Sequence, residues 1–147
     1  MAEISTSGLE ELIGDLGKLA ELPDDVIGEM LEAEAEVVAQ AQSAEARSML
    51  SGDKSKGITA GAITFDKKPK TTKDGKAVYV YPKGTRTDGN RRPINEVAFV
   101  NEYGKEGQPA RQFIRTANEK SADAATDAAA KVYDRFSTIQ KSITGGY

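Results

Sequence analysis

The segment 97–117, VAFVNEYGKEGQPARQFIRTA, contains the clearest signals in this chain for where elements end and begin. A short apolar run stops at Gly104, a polar loop leads to Pro109, and a long segment with helical apolar spacing follows. Glycine just past an apolar run and proline just before a helix have a steric basis as stop and start signals. The segment therefore predicts an element ending at Gly104, a tight loop and a long final helix.

Two arginines lie at the predicted start of this final helix. Arg111 and Arg115 are four residues apart and so share one helix face. Cations in a first turn work against the helix dipole, which is positive at that end. We therefore expect both arginines to make charge-assisted bonds to Glu102 or to an acid of a partner. Phe113, between them, is expected to anchor the helix start in the core.

The first fifty residues predict two helices. Ser7-Gly8-Leu9-Glu10 fits a capping box, and leucines at helical spacing then predict a short helix to about Glu21. Pro23 and two acids favour the start of a second, long helix that runs to about Leu50.

The middle of the chain predicts strands separated by basic loops. Residues 58–65 and 77–81 have strand-like composition, and Asp74-Gly75 is a hairpin-turn dipeptide. Asn95 is expected to cap a short helix over 96–103, and the final helix is expected to run over 111–139. Residues 66–76 and 82–93 are expected to be mobile basic loops, and residues 1–6 and 142–147 to be disordered.

This order of elements predicts one α+β domain over residues 1–147. We expect a small, mainly antiparallel sheet of three or four strands. Two long helices should pack on one face of it, with the short N-terminal helix in addition.

The composition argues against most catalytic sites. The chain has no Cys and no His, which removes thiol nucleophiles, disulfides, the usual zinc sites and histidine bases. Asp24-Asp25 is explained by helix capping, and the glycine loop of a phosphate site is missing upstream of Lys54-Ser55. We therefore expect no enzyme activity, no catalytic residues, no cofactor and no metal. Neither a signal peptide nor a membrane span is evident, so we expect a cytoplasmic protein or an assembly built there.

Charge is divided unevenly along the chain. Residues 1–50 hold two bases and twelve acids, a balance of −10, whereas the remainder holds eighteen bases and eleven acids, a balance of +7. Such asymmetry indicates either a nucleic-acid surface or complementary faces that meet between copies. A solvated helix with a lysine-rich loop is the plainer interpretation.

The bases of the middle segment could contact either phosphates or a neighbouring subunit. No aromatic residue is interleaved with the lysines in sequence, and no helix-turn-helix pattern is present, so specific base readout is not expected. The residues concerned are Lys67, Lys68, Lys70, Lys73, Lys76, Lys83, Arg86, Arg91 and Arg92.

The segment 97–117 resembles a motif of one family of phage proteins. An apolar run ending in Asn-Glu-Tyr-Gly, a short loop and then Pro-Ala-Arg-x-Phe-Ile-Arg-x-Ala is similar to the neck or tail-completion (head–tail joining) proteins of long-tailed lambdoid-type bacteriophages. A weaker match is the segment 57–63, and the resemblance covers roughly residues 46–136. Family members usually have proline where Gln112 stands, which leaves the helix entry less rigid here. The motif residues are Glu102, Tyr103, Gly104, Pro109, Arg111, Phe113 and Arg115.

The resemblance implies a virion structural protein that catalyses no reaction. Copies would form a ring, sixfold by expectation, around the DNA path in the phage neck, assembled in the host bacterial cytoplasm. The implied partners are a head-closure or connector protein, a tail-tube or tail-terminator protein, and passing DNA bound without sequence specificity. The alternatives are a tail-terminator ring and a non-specific DNA-binding accessory protein.

Overall fold

The computed structural model describes residues 22–50, 57–73, 75–87 and 92–143. It confirms the α+β class, with two long helices and short antiparallel strands. The helices are α1 (Asp24–Met49), α2 (Ile58–Ala62), α3 (Ile94–Tyr103) and α4 (Phe113–Ile143), and the strands are β1 (Ile63–Phe65), β2 (Lys70–Thr72), β3 (Gly75–Ala77) and β4 (Val80–Pro82).

The two long helices pack along each other and form the main contact of the fold. Their facing residues are mostly alanines, which let the two backbones approach closely. The buried side chains of this interface include Ala35, Ala39, Ala117, Ala125, Ala129 and Val132. One polar pair bridges the helices, since Gln42 Nε2 donates to Asn118 Oδ1 at 2.9 Å. Of the two helices, α1 makes most of the contact with β1 and β4.

The strands form two separate antiparallel pairs. β1 pairs with β4, with Thr64 opposite Tyr81, and β2 pairs with β3, with Thr71 opposite Lys76. The prediction of one strand over 77–81 is wrong, because residues 78–79 separate β3 from β4. The prediction of a loop over 66–76 is also wrong, because most of it forms the β2–β3 hairpin. Its tight turn agrees with the Asp74-Gly75 dipeptide, although Asp74 itself lies outside the described residues.

The predicted strand over 58–65 is helical in its first part. Gly57 has a left-handed φ of 68° and starts α2, and only residues 63–65 are extended. Ala60 is buried in the core, and its carbonyl accepts a 2.7 Å hydrogen bond from the Ser43 hydroxyl of α1. Periodicity alone cannot assign a short apolar run to helix or strand. The contact of Ala60 with α1 favours the helix here.

The short helix before Gly104 is confirmed, but its predicted cap is wrong. α3 begins at Ile94 directly after Pro93, and Asn95 lies inside the helix rather than at its cap. Proline has no N–H to satisfy and its fixed φ suits the entry to a helix, so Pro93 begins this helix without a side-chain cap.

The core lies where the C-terminal end of α1 meets α2, α3 and the start of α4. Phe113 is its largest member and is 0% exposed. The other buried members are small or medium-sized: Ala46, Leu50, Ala60 and Ala98. The partly buried side chains of Met49, Ile63 and Ile114 pack around them.

Some predictions fall on residues that the structure does not describe. The capping box at residues 7–10 and the short N-terminal helix lie outside the described residues, as do residues 1–6 and 144–147. Residues 142–143, predicted to be disordered, belong to the last turn of α4.

Candidate assembly site

The junction, defined here as residues 94–117, holds α3, the following loop and the start of α4 in a fixed arrangement. Its anchor is Phe113, which packs in the core cluster with Ala98 of α3 and Ala46 of α1. The prediction that Phe113 anchors the helix start is confirmed. Phe113 is the first residue of α4 and packs against α3. The angle between the two helices therefore depends on the burial of the Phe113 ring.

Gly104 ends α3 in a conformation that only glycine adopts readily. Its φ is 78° and its ψ is 176°, and its N–H donates to the Val100 carbonyl at 2.7 Å. A Cβ at this position would lie 2.8 Å from the Ala110 nitrogen and 2.9 Å from the Gln108 carbonyl oxygen. Glycine is therefore required both by the backbone angles and by the close approach of the returning chain.

The loop between the helices is tied back to the end of α3. The Arg111 N–H donates to the Asn101 carbonyl at 2.6 Å, and Gln108 Nε2 donates to Asn101 Oδ1 at 3.2 Å. Lys105 and Gln108 exchange two backbone hydrogen bonds across the turn. Pro109 lies exposed in the segment of this loop that returns to α4. The loop is thus a closed turn that holds the two helices together.

Glu102 is the cap of the final helix. It is only 6% exposed. Its carboxylate accepts the backbone N–H groups of Ile114 at 2.8 Å and Arg115 at 3.0 Å. These N–H groups have no partner within a helix, and the positive end of the helix dipole favours a negative charge beside them. A side chain from α3 therefore supplies the cap that α4 lacks in its own sequence.

Neither the Arg111 nor the Arg115 side chain bonds to Glu102, which was the first of the two predicted acceptors; a bond to an acid of a neighbouring subunit stays a prediction. Both Glu102 oxygens accept from backbone N–H groups, and Arg115 Nε instead donates to Glu119 at 3.1 Å on the exposed surface of α4. Arg111 precedes α4 and is exposed, so it does not lie on the first helical turn as predicted. Only its backbone takes part in the junction. The Glu102 carboxylate accepts from the N–H groups of the helix start and not from an arginine side chain. A buried N–H group without an acceptor costs more free energy than a missing ion pair at the surface.

The outer face of α3 carries two large aromatic side chains, of which the sequence analysis singled out only Tyr103. Phe99 is 62% exposed and Tyr103 is 68% exposed, and their ring centroids lie 4.7 Å apart. We call these two residues the aromatic pair. Tyr103 belongs to the phage-like motif, but the relevant signal was the spacing of two aromatics four residues apart. That spacing puts both on one helix face.

The basic hairpin, defined here as residues 65–83, places cations over aromatic rings. Lys67 Nζ lies 4.8 Å from the centre of the Phe65 ring, and Lys70 Nζ lies 5.6 Å from that of Tyr79, which is 51% exposed. Both distances are within the range of cation–π attraction. No aromatic is interleaved with the lysines in the run 66–76, but the fold places the rings of Phe65 and Tyr79 beside two of them.

A polar cluster joins the two strand pairs of the basic hairpin. The Tyr81 hydroxyl donates to Asp66 Oδ1 at 3.1 Å, and Lys70 Nζ lies 3.7 Å from Asp66 Oδ2. The hydrogen bond to Asp66 raises the pKa of Tyr81 above its usual value, because the bond is lost when the phenol ionises. The cluster therefore fixes the neutral form of Tyr81 and positions Lys70.

Three of the other predicted basic residues, Lys83, Arg86 and Arg92, lie in the loop after β4, whereas Lys68 and Lys73 are exposed on either side of β2. The backbone of Lys83 donates to the Ala62 carbonyl, and the backbone of Arg86 donates to the Arg92 carbonyl at 3.0 Å. Arg91 lies outside the described residues, as do residues 88–90. The structure thus brings Lys67, Lys68, Lys70, Lys73 and Lys76 to the segment around β2 and β3 and places Lys83, Arg86 and Arg92 in a different loop.

Part of the charge asymmetry is neutralised within the chain. Three ion pairs join acids of α1 to bases of residues 51–147: Asp24 with Lys76 of β3 at 3.6 Å, Glu29 with Arg135 of α4 at 3.5 Å and Glu45 with Lys120 of α4 at 2.6 Å. Surface pairs of this kind, each with at least one largely exposed side chain, stabilise a fold by only about 0–1 kcal/mol apiece. The acids of α1 that remain include Glu32, Glu34 and Glu36.

An apolar groove of about 230 Å³ opens between α1 and α4, far from the junction. We call it the α1–α4 groove. One carboxyl group, that of Glu34, lies in this apolar lining, and burial raises its pKa. The lining residues are Ile27, Met30, Leu31, Glu34 and Ala129.

Comparison of the chain with protein-family models, with curated proteins and with solved structures finds no match. Within the described ranges, no group of three or more potential metal-ligating side chains occurs. None of the helices in those ranges is long and apolar enough to cross a membrane.

Proposed function

We propose that this chain is a structural subunit of the neck of a long-tailed bacteriophage. In this role it joins tail to head as a ring of copies, six by expectation. The observation that carries the proposal is the junction: its residues 102–115, which resemble the phage motif, hold α3 against the core, while the aromatic pair of α3 remains exposed. A helix fixed on one side and apolar on the other is suited to binding another protein.

The proposal assigns binding roles, and no catalysis, to the surfaces of the chain. Head-to-tail rings use two different patches on each subunit, and the aromatic pair and the acidic part of α1 are two such patches. The partners are further copies of the chain, a head-closure or connector protein, and a tail-tube or tail-terminator protein. The ring would belong to the virion and would be assembled in the host cytoplasm. A tail-terminator ring is a second candidate that the same surfaces would serve.

A non-specific DNA-binding accessory protein is the candidate from a different class. The observation in its favour is the basic hairpin, where Lys67 and Lys70 lie beside Phe65 and Tyr79. Cations neutralise phosphates, and exposed rings can stack on bases. In the neck proposal the same lysines would line the DNA channel or contact a neighbouring copy, and binding to free DNA would be weak.

Titration of a labelled duplex by fluorescence anisotropy at two salt concentrations separates the two classes. For the neck subunit we expect weak binding without sequence preference. Submicromolar binding whose logarithm falls with log salt at about −0.9 per phosphate contacted would contradict the proposal and support the accessory protein.

A matched pair of variants assigns any residual binding to its surface. Lys67→Ala with Lys70→Ala should reduce it, whereas Lys105→Ala with Lys131→Ala removes two exposed lysines elsewhere and should not. Equal losses in both variants would show that the binding depends on net charge and not on the basic hairpin.

A further inference from the structure

α1 has a second apolar face besides the one that packs on α4. The face towards α4 includes the buried residues Ala35 and Ala39. The second face points roughly 100° away from the first, at 3.6 residues per helical turn. Its side chains are only partly buried within the described part of the chain, and most of them line the α1–α4 groove. These residues are Ile27, Met30, Leu31, Glu34 and Val38.

The sequence just before α1 has the matching apolar pattern. Residues 9–19, which we call the leucine segment, hold five large apolar residues at the spacing of one helix face: Leu9, Leu12, Ile13, Leu16 and Leu19. On a helix, Glu10, Glu11 and Asp15 would lie outside this face. Gly14 and Gly17 lower the helix propensity of the segment, so a helix this short needs an apolar surface to pack on.

The connection from the leucine segment to α1 is short and bent. The chain bends at Leu22, and Pro23 has the extended angles φ −58° and ψ 148° before α1 begins at Asp24. The leucine segment therefore cannot continue the axis of α1, and only residues 20–23 separate the two. Helices joined by a loop of two to five residues form an antiparallel pair. The connection thus holds the segment within reach of the first turns of α1, where Ile27 lines the groove.

We infer that the leucine segment folds back along α1 as a helix and fills the α1–α4 groove of its own chain. An antiparallel pair that turns at Leu22 and Pro23 brings Leu19 level with Ile27, and Leu16 level with Met30. Eleven residues of helix span roughly 16 Å, whereas the groove residues of α1 from 27 to 34 span roughly 10 Å, so the segment is long enough. The inference goes beyond the proposed function and does not depend on it.

Connectivity favours the chain's own segment over a second copy as the occupant of the groove. A short linker gives a tethered segment an effective concentration in the millimolar range. A separate molecule must instead lose its translational and rotational freedom on binding. A groove filled in this way would be part of the core of each subunit and would not be free for a neighbouring copy.

Two cysteines introduced into one chain test the inference, because the natural chain contains none. Leu16→Cys and Met30→Cys are combined and oxidised mildly at low protein concentration. We expect a disulfide within the monomer, seen as the loss of both free thiols with the mass still near 15.7 kDa. The control combines Lys18→Cys with Met30→Cys. Lys18 is nearer to Met30 in sequence but lies on the polar face of the segment, so this variant should keep its free thiols.

Three outcomes of the oxidation overturn the inference. Covalent dimers in place of the oxidised monomer would show that a second copy occupies the groove. Free thiols in both variants would show that the leucine segment does not fill it. Equal disulfide formation in both variants would show that the segment lies near α1 without presenting its leucine face.

A double-mutant cycle tests the same contact without oxidation. Leu16→Ala and Met30→Ala together should lower the unfolding free energy by less than the sum of the two single losses, because residues in contact are coupled. The control cycle combines Leu16→Ala with Ile63→Ala, which changes a side chain packed on the core at the other end of α1, and should be additive. Additivity in both cycles, measured by urea unfolding, would overturn the inference.

Discussion

The junction and the basic hairpin both connect longer elements, but they are stabilised very differently. In the junction, Phe113 is fully buried and Glu102 accepts two backbone hydrogen bonds. In the basic hairpin, β2 and β3 are three residues each, and none of these six residues is buried. A two-stranded hairpin has only marginal stability by itself. The junction can therefore hold a rigid binding surface, whereas the hairpin can adapt to a charged partner.

The difference also concerns the kind of interaction that each region offers. The junction presents apolar aromatic area, which contributes affinity when it is buried. The basic hairpin presents charges that remain solvated, which mainly affect encounter rates and orientation. In the proposed ring, subunit contacts would depend on the first region, and contact with DNA or an acidic neighbour on the second.

The largest expected effect is the loss of the Phe113 ring. Phe113→Ala should destabilise the protein by about 3–5 kcal/mol, because a fully buried aromatic leaves a cavity where four elements meet. Tyr79→Ala, at a half-exposed aromatic of the basic hairpin, should cost far less. Urea unfolding of both variants measures the difference. A Phe113→Ala variant within about 1 kcal/mol of the natural chain would refute the contrast between the two regions.

The next largest effect concerns two glycines of the junction loop that share a φ of 78°. At Gly107 an added Cβ meets nothing within 4 Å, so Gly107→Ala should cost only the left-handed backbone strain, roughly 1–2 kcal/mol. Gly104→Ala should cost more, because its Cβ would also contact backbone atoms at 2.8 and 2.9 Å. Equal losses of unfolding free energy would show that the loop can open at Gly104 without cost.

A smaller effect is expected from the cap of α4. Glu102→Ala should cost about 0.5–2 kcal/mol, since two N–H groups of the helix start lose their acceptor. Glu102→Gln keeps one side-chain acceptor and should lose less. Glu106→Ala removes an exposed acid from the neighbouring loop and should change little. If Glu106→Ala and Glu102→Ala have the same effect on the unfolding free energy, the cap does not stabilise the helix start.

The smallest effect on stability is expected in the basic hairpin. Replacing Lys67, Lys68, Lys70 and Lys73 by alanine should change the unfolding free energy by no more than about 0.5 kcal/mol per site. The same variant should nevertheless impair particle assembly or DNA retention.

Hydrogen exchange gives the matching dynamic measurement. Hairpin amides should exchange faster than the Gly104 and Arg115 amides in the free protein, and should become protected on assembly. Strong protection of the hairpin amides in both the free and the assembled protein would contradict the difference in stability proposed between the hairpin and the junction.

The junction was largely predictable because its signals are local. Glycine after an apolar run and proline before a periodic segment act through sterics within a few residues, and the burial of Phe113 follows from helical spacing. The partners of Glu102 were not predictable in this way. They depend on α3 pointing at the start of α4, and an acid twelve residues upstream is not a cap by any sequence rule.

The elements in the middle of the chain were harder to predict. The segment 58–62 is short, apolar and preceded by a glycine, a pattern that strands and helices share. It is helical because it packs against Ala46 and Ser43 of α1. The proximity of Lys67 and Lys70 to aromatic rings was also hidden, because strand pairing and not sequence order places Tyr79 beside Lys70. The aromatic pair of α3 was visible in the sequence, but its exposure depends on how α3 packs.

The mass of the purified chain over a wide range of concentration tests the central claim most directly. The account predicts that monomers of 15.7 kDa give way at high concentration to one closed oligomer, about 94 kDa if six copies assemble. It also predicts that the oligomer is lost in Phe99→Ser and retained in Tyr79→Ser. A mass of 15.7 kDa at every concentration, together with tight binding to free duplex DNA, would contradict the account.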